Sequence, residues 1–446
     1  MKKTKTFPKG GVHPKENKIS SLKPIEKLDL PETVIIPVSQ HIGAPSKTIV
    51  NVGDKVKTGQ LIAKAAGFIS ANIHSSVSGE VIKIDLIEDP SGYKKQAIII
   101  KVEGDDWVED IDLSEDIKKD INVEATEIKD RVLSLGIVGL GGATFPSHVK
   151  LSVPESKKVD YLIINGVECE PYLTSDHRLM LERGEEILIG TQILLKGLRI
   201  NKAFIGIENN KPDAIKHLTE LAKNYNGIEI ISLKVQYPQG AEKQLIKAIT
   251  GREVPPPPRG LPIDVGCVVH NVGTAFAVYE AIQKNKPLVD RVVTLTGKQV
   301  KNPSNYLVRI GTPIANLVEA SGGLPQDTGK IISGGPMMGR AITTLDMPVT
   351  KGTSGVTVIS ESESTRETVL NCIRCGRCVE ACPTGLEPYL LMALSEKNLM
   401  EKAEQERIVS CCECGCCAFT CPSRRPLLDY IRLGKTKVMN IMRRRQ

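Results

Sequence analysis

A chain of 446 residues, 41% hydrophobic and 25% charged, is long enough for several domains and has the composition of an ordinary folded protein rather than of a disordered tail. Much of its net charge of +7 lies at the ends (Lys2, Lys3, Lys5 and Lys9; Arg443, Arg444 and Arg445), and a 4% aromatic content supplies no stacking platform, so nucleic acid is excluded as a partner. No apolar run approaches the roughly 20 residues that cross a bilayer, and the Met1-Lys2-Lys3-Thr4 start lacks the apolar stretch of a signal peptide.

Residues 30–103 alternate short β-rich runs (34–37, 48–52, 79–84 and 97–102) with Gly, Pro and Asn turns, which predicts a small β module within an N-terminal segment 1–115. The stretch from Asn51-Val52-Gly53-Asp54 to Ser78-Gly79-Glu80 resembles the barrel-sandwich hybrid of lipoyl and biotinyl carriers. Its central hairpin, Ile69 to His74, has no carrier lysine, so a docking module is expected rather than a swinging arm. A charged segment, 103–130, leads onward.

From 116 to 287 strands (160–165, 202–207) alternate with amphipathic helices (179–198, 213–225), the signature of a layered, Rossmann-like α/β domain. The run Pro255-Pro256-Pro257-Pro258 reads as a stiff connector. Residues 288–352 return to β character, with strands at 292–296 and 330–332. A Ser-, Glu- and Thr-rich link (352–368) then reaches a fourth segment, 353–446. Helices are expected there at 388–395, 399–410 and 427–442, the last one basic.

Two stretches carry chemistry in the α/β segment. Gly139-Leu140-Gly141-Gly142-Ala143-Thr144-Phe145-Pro146 would bring backbone N–H groups close to a phosphate or flavin ring with no Cβ in the way, and Lys150 follows to neutralise charge. With Thr144 in place of the third glycine, it is not the dinucleotide fingerprint. The strand 160–165 then ends in Asn165-Gly166-Val167-Glu168-Cys169-Glu170, and strand C-termini are where open α/β sheets bind ligands. Glu168 and Glu170 suit hydroxyls or a carboxamide better than phosphate.

The last quarter holds one cysteine run twice. Cys372, Cys375, Cys378 and Cys382 precede Pro383, and Cys411, Cys414, Cys417 and Cys421 repeat the spacing 39 positions later, before Pro422. This C-x2-C-x2-C-x3-C-P pattern predicts two [4Fe–4S] clusters in which the fourth cysteine of each run ligates the other cluster. The ligand sets are then Cys372, Cys375, Cys378 and Cys421, and Cys411, Cys414, Cys417 and Cys382. Structural zinc is the competing use of such spacings. Cys412 and Cys416 fall outside the register and read as packing thiols; Cys169 and Cys267 stand alone as small buried hydrophobes. Thiolates poised for iron require a reducing compartment.

The glycine loop and the Asn-x-x-Glu-x-Glu-Pro stretch resemble the FMN- and NADH-binding flavoprotein subunit of respiratory complex I. So do Gly240-Ala241-Glu242-Lys243 and Asn271-Val272-Gly273-Thr274, and residues 288–345 resemble the β-grasp ligand-binding domain that follows there. Val167, Ala241 and Gly273 depart from that family, which is acidic at these positions. The opening Phe7-Pro8-Lys9-Gly10-Gly11-Val12-His13-Pro14 and the doubled cysteine run are similar, over essentially the whole chain, to the C subunits of Rnf ferredoxin–NAD+ oxidoreductases. The resemblance implies a multidomain α/β protein ending in a helical dicluster ferredoxin-like domain. It implies FMN contacts at Gly139, Gly141, Lys150, Asn165, Glu168 and Asn271, and further cofactor-binding positions at Gly142, Gly240 and Thr274. Glu170, Phe145 and Glu242 would face NAD(H). A flavin carries the hydride step without a protein acid or base, so no catalytic residue is assigned. The implied partners are integral-membrane and iron–sulfur subunits at the cytoplasmic face of a membrane, with ferredoxin reached indirectly. The alternatives are a flavin and iron–sulfur reductase such as cobalamin reductase, against which the Gly10-Gly11-Val12-His13-Pro14 start argues, and a non-enzymatic cluster scaffold.

Overall fold

The computed structural model describes residues 4–89, 92–256 and 260–445. Met1, Lys2 and Lys3 of the basic start and Pro257-Pro258 of the proline run lie outside them.

Near the N-terminus, Thr33–Pro37, Lys94–Gly104, Ser78–Glu88 and Lys55–Val56 form one antiparallel sheet, and Lys47–Thr48, Leu61–Lys64 and Ile73–His74 a second. Alternation turns Val34, Ile36, Ile62, Ile73, Val81, Ile98 and Ile100 into one shared core. The strand expected at 48–52 stops at Thr48, and the short strands at 55–56, 61–64 and 73–74 carry too few residues to show a period. The hairpin between Lys64 and Ile73 does not stand free. Asn72 Nδ2 donates to the Ser134 carbonyl (3.0 Å), and the buried Lys351 ammonium donates to the carbonyls of Asn72 (2.9 Å) and Gly136 (2.7 Å). The tip is thereby fastened to the segment that enters the glycine loop.

The central sheet is parallel, in the order Ile228–Leu233, Ala203–Glu208, Tyr161–Asn165, Cys267–Asn271. Its strands are almost wholly apolar because helices cover both faces: Leu162 and Ile164 enter one core, Ile163 the other. The strand order reverses between Tyr161–Asn165 and Cys267–Asn271, which opens a crevice at their C-terminal ends. The helix expected at 179–198 is two helices, Ser175–Glu182 and Gly184–Leu198, with the break at Arg183. A Cβ at Gly184 would lie 2.9 Å from His217 Nε2, and one at Gly190 would strike the Ala275 carbonyl. Close helix packing, not periodicity, sets this geometry.

A six-stranded sheet follows, ordered Ile25–Lys27, Ser304–Arg309, Asp290–Thr296, Gly355–Ser360, Thr328–Ser333, Arg340–Ala341. Two of its strands correct the sequence reading. Gly355–Ser360, inside the segment read as a link, is a central strand with Val356 and Val358 buried. Ile25–Lys27 pairs in parallel with Ser304–Arg309 from the far end of the chain.

The cysteine-rich end is helical. Pro388–Glu396 and Met400–Gln405 pack against Leu427–Arg444, which buries Leu427, Leu428, Ile431 and Val438 on one face. Capping this small domain accounts for the apolar face of the last helix. The helix expected at 399–410 ends at Gln405, where Arg407 turns left-handed (φ 59°) into a single 3-10 turn. Among the described residues no helix is long and apolar enough to cross a membrane.

Candidate functional site

The glycine loop leaves and returns through a bridge between Val138 and Pro146, and Gly139 N donates to the Phe145 carbonyl at 2.9 Å. This closure makes Phe145 part of the loop's own base. Gly142, at φ 97°, has open space where a Cβ would be, whereas one at Gly141 would lie 3.4 Å from Asn271 Cβ. The loop thus sits on the crevice between the two central strands. Asn165 and Asn271 are register partners at their ends. Asn271 Oδ1 caps the helix Val272–Gln283 by accepting from Gly273 N (2.8 Å), while its Nδ2 reaches Asp176 (2.6 Å). Thr274 Oγ1 accepts from Leu140 N (2.9 Å), tying the loop to the same helix. Asn165 Nδ2 donates to the Gly240 carbonyl (2.9 Å). Lys150 donates to the Val269 carbonyl (2.7 Å) and pairs with Glu242 (3.2 Å), both on the loop's side of the sheet end. The expected residues Gly139, Gly141, Gly142, Phe145, Lys150, Asn165, Gly240, Glu242, Asn271 and Thr274 therefore meet.

The two acids do something else. Glu168 Oε1 accepts from Asp176 N (2.7 Å) and Ser175 Oγ (3.2 Å), and Oε2 accepts from His177 N (3.1 Å). It caps the helix Ser175–Glu182 rather than offering its carboxylate to ribityl hydroxyls. Glu170 is half-buried at a domain junction, accepting from Met337 N (3.1 Å) and Met338 N (2.7 Å). Burial pushes its carboxyl up to about 7. As placed here it pins two domains together instead of standing ready for a nicotinamide. The sequence reading also missed Lys18, whose ammonium gathers the carbonyls of Glu168, Glu170 and Leu173, and Asp176, whose carboxyl burial and then Glu168 push upward. Arg291 is a third omission: it donates to the carbonyls of Leu140 (3.3 Å) and Lys351 behind the loop. Only Asp176, in the helix-start pattern Thr174-Ser175-Asp176, left a readable trace.

Both cysteine runs curl through matched left-handed residues: Arg374 and Gly376 in the first, Glu413 and Gly415 in the second. Alternating right- and left-handed backbone turns N–H groups toward one point, a cradle for an anionic cluster. Cys382, Cys414 and Cys417 are buried, while Cys372 and Cys375 are exposed. Among the described residues no three His, Cys, Asp or Glu side chains converge as a single metal ion would need.

Four family models match in chain order. They are an RnfC barrel sandwich hybrid domain (residues 5–105), a Nuo51 FMN-binding domain (132–280), an SLBB domain (292–341) and a 4Fe-4S binding domain (370–386). The C subunit of the Na(+)-translocating ferredoxin:NAD(+) oxidoreductase complex of Acetobacterium woodii is 45% identical over 432 residues, covering 97% of each chain. The chain belongs to the RnfC family. Its other relatives include the C subunit of the proton-translocating ferredoxin:NAD(+) oxidoreductase complex of Clostridium ljungdahlii, 48% identical over 89% of this chain and 86% of that one. The C subunit of the ion-translocating oxidoreductase complex of Rhodobacter capsulatus is 43% identical over 86% and 74%. The fold is accordingly a mixed α/β multidomain one, with a barrel-sandwich, an FMN-binding, an SLBB and a 4Fe-4S domain.

The residues present fit FMN. Beside the Cβ-free loop, buried polar atoms lack protein partners: both ring nitrogens of His270 on the strand Cys267–Asn271, and Ser147 Oγ just after Pro146. Burial, then the Lys150 ammonium, holds His270 well below its usual range, so it stays neutral. Unmet donors and acceptors beside a lysine suit a phosphate-bearing cofactor. The cysteine loops likewise suit iron–sulfur clusters, by thiol number and by backbone curvature.

Proposed function

We propose that this chain is the peripheral NAD(H)-facing subunit of an Rnf-type ferredoxin:NAD+ oxidoreductase complex at the cytoplasmic face of the membrane, where electron transfer is coupled to Na+ or H+ translocation. Integral-membrane and iron–sulfur partner subunits move the ion, and ferredoxin reaches this chain only through them. When bound, FMN exchanges electron pairs with NAD(H) as hydride, and two [4Fe–4S] clusters take electrons singly.

The chain's own residues supply position and charge. Gly139, Gly141 and Gly142 let backbone N–H groups approach the FMN, and Asn165, Asn271 and Thr274 fix the strand ends and the loop around it. Lys150, paired with Glu242 at 3.2 Å, would neutralise the phosphate, and Glu242 and Phe145 would face the dinucleotide. Gly240 packs closely on Val167 and Cys169, where a Cβ would lie 3.3 Å from Cys169 Sγ, and its carbonyl holds Asn165. The cysteines divide between the clusters as their spacing predicts.

One observation carries this reading. The glycine loop and the Asn165–Asn271 pair meet at the reversal point of a parallel sheet, and the turn 236–240, whose Gly240 carbonyl accepts from Asn165, also reaches Cys414 through the Tyr237 hydroxyl. The test is anaerobic purification with flavin extraction, iron counting and an NADH titration followed optically. About one FMN, iron for two cubanes, and bleaching of the flavin band by NADH are expected. Iron absorbance with neither extractable flavin nor a response to NADH would overturn it.

A further inference from the structure

Resting on that reading, we propose that Tyr237 and Glu170 are positioning residues that seat the second cysteine loop against the flavin pocket. The cluster of Cys411, Cys414, Cys417 and Cys382 is then the one in direct electronic contact with the flavin.

The turn Gln236-Tyr237-Pro238-Gln239-Gly240 spans the two sites. At its pocket end, the Gly240 carbonyl accepts from Asn165 Nδ2, and Gly240 N donates to Cys169 Sγ (3.4 Å). At its other end, the buried Tyr237 hydroxyl donates to the Cys414 carbonyl at 2.8 Å, and Cys416 Sγ donates to the Tyr237 carbonyl at 3.9 Å. The N-terminal arm holds the turn from outside through paired backbone bonds between Val12 and Tyr237 (2.8 and 3.0 Å). The arm also touches a ligand directly: Gly11 N donates to the Ala381 carbonyl, and a Cβ on Gly10 would lie 2.7 Å from the Cys382 backbone.

Glu170 closes the seat from the third side. Its carboxylate binds the N–H groups of Met337 and Met338, and Tyr237 Oη lies 3.4 Å from Oε1. The Met337 carbonyl rests where a Cβ on Gly415 would come to 2.9 Å. The Met338 carbonyl accepts from Arg432, whose Nε also reaches Glu413 of the cysteine loop (3.2 Å). The matching glycine of the first cysteine loop has no such neighbour, for nothing lies within 4 Å of a Cβ built on Gly376.

The test uses the anaerobic holoprotein with Tyr237→Phe and Glu170→Gln, each in the wild-type background and with Cys375→Ser, which removes the outer cluster. Expected are unchanged FMN content and unchanged NADH affinity, a shifted potential and EPR line for the cluster that survives Cys375→Ser, and flavin-to-cluster transfer slowed about two- to tenfold, the population ratio that one hydrogen bond maintains. Tyr237→Phe removes a single oxygen and carries the test alone if Glu170→Gln fails to fold. Unmoved spectra and rates in a wild-type chain that does respond to NADH would overturn this inference only. So would a fall in NADH affinity in Glu170→Gln, which returns Glu170 to the nicotinamide. A wild-type chain that does not respond to NADH sinks the parent reading instead.

Discussion

Residues 372–385 and 411–424 are one loop written twice, with left-handed backbone at Arg374, Gly376 and Gly385 and again at Glu413, Gly415 and Arg424. Their surroundings differ. Ile373 is 68% exposed, whereas Cys412 in the same place is half-buried. Arg377 reaches solvent, whereas Cys416 is 0% exposed against Tyr237. Cysteine spacing therefore fixes the curl of each loop, and whatever docks on the loop fixes its burial. Cys412 and Cys416 are out of register because they stand at outward-facing positions that only the second loop covers.

The largest expected effect tests that division. Cys375→Ser and Cys414→Ser should each remove half the iron, but Cys414→Ser also disturbs the apolar cluster of Val12, Tyr237, Ala381 and Cys416. Its thermal midpoint should fall by about 4–8 °C beyond that of Cys375→Ser, roughly one kcal/mol in a domain of under about 100 residues. Equal falls would erase the distinction between inner and outer loops. Next comes the glycine pair. Both sit at positive φ, so an alanine strains either one, but only Gly415 also faces the Met337 carbonyl. Gly415→Ala should cost about 1–2 kcal/mol more than Gly376→Ala in denaturant midpoint, and identical midpoints would mean that the Met337 contact yields freely. The smallest effect is expected at Ile373: Ile373→Ser should move stability by no more than about 0.5 kcal/mol, and a larger loss would show that the outer loop is packed after all.

Much of this was legible in the sequence where signals are local. The doubled cysteine run, the glycine loop and the strand running into Asn165 are each read within a dozen residues, and each stands where expected. The two glutamates show the limit. Residue type and position at a strand end were right for a ligand site, yet Glu168 answers three helix-start N–H or O–H groups and Glu170 answers Met337 and Met338. In a chain that must satisfy buried N–H groups, a carboxylate goes to the nearest unmet donor. For Glu170 that donor lies far along the sequence. The strand Gly355–Ser360 was hidden for another reason: its Ser, Thr and Glu neighbours outweigh the four-residue Val-Thr-Val-Ile core. Arg291 and Lys351 left no pattern, because a lone buried cation is recognisable only by the carbonyls around it.

The parallel pairing of Ile25–Lys27 with Ser304–Arg309 bears on biosynthesis. The first strand of the chain has no ladder partner until the ribosome has released most of the polypeptide. The barrel module, complete by Gly104, can form early, but the arm before it must wait. Long-range parallel contacts close slowly, so nascent chains stopped before Ser304 should leave Ile25–Lys27 open to protease while the barrel behind it resists.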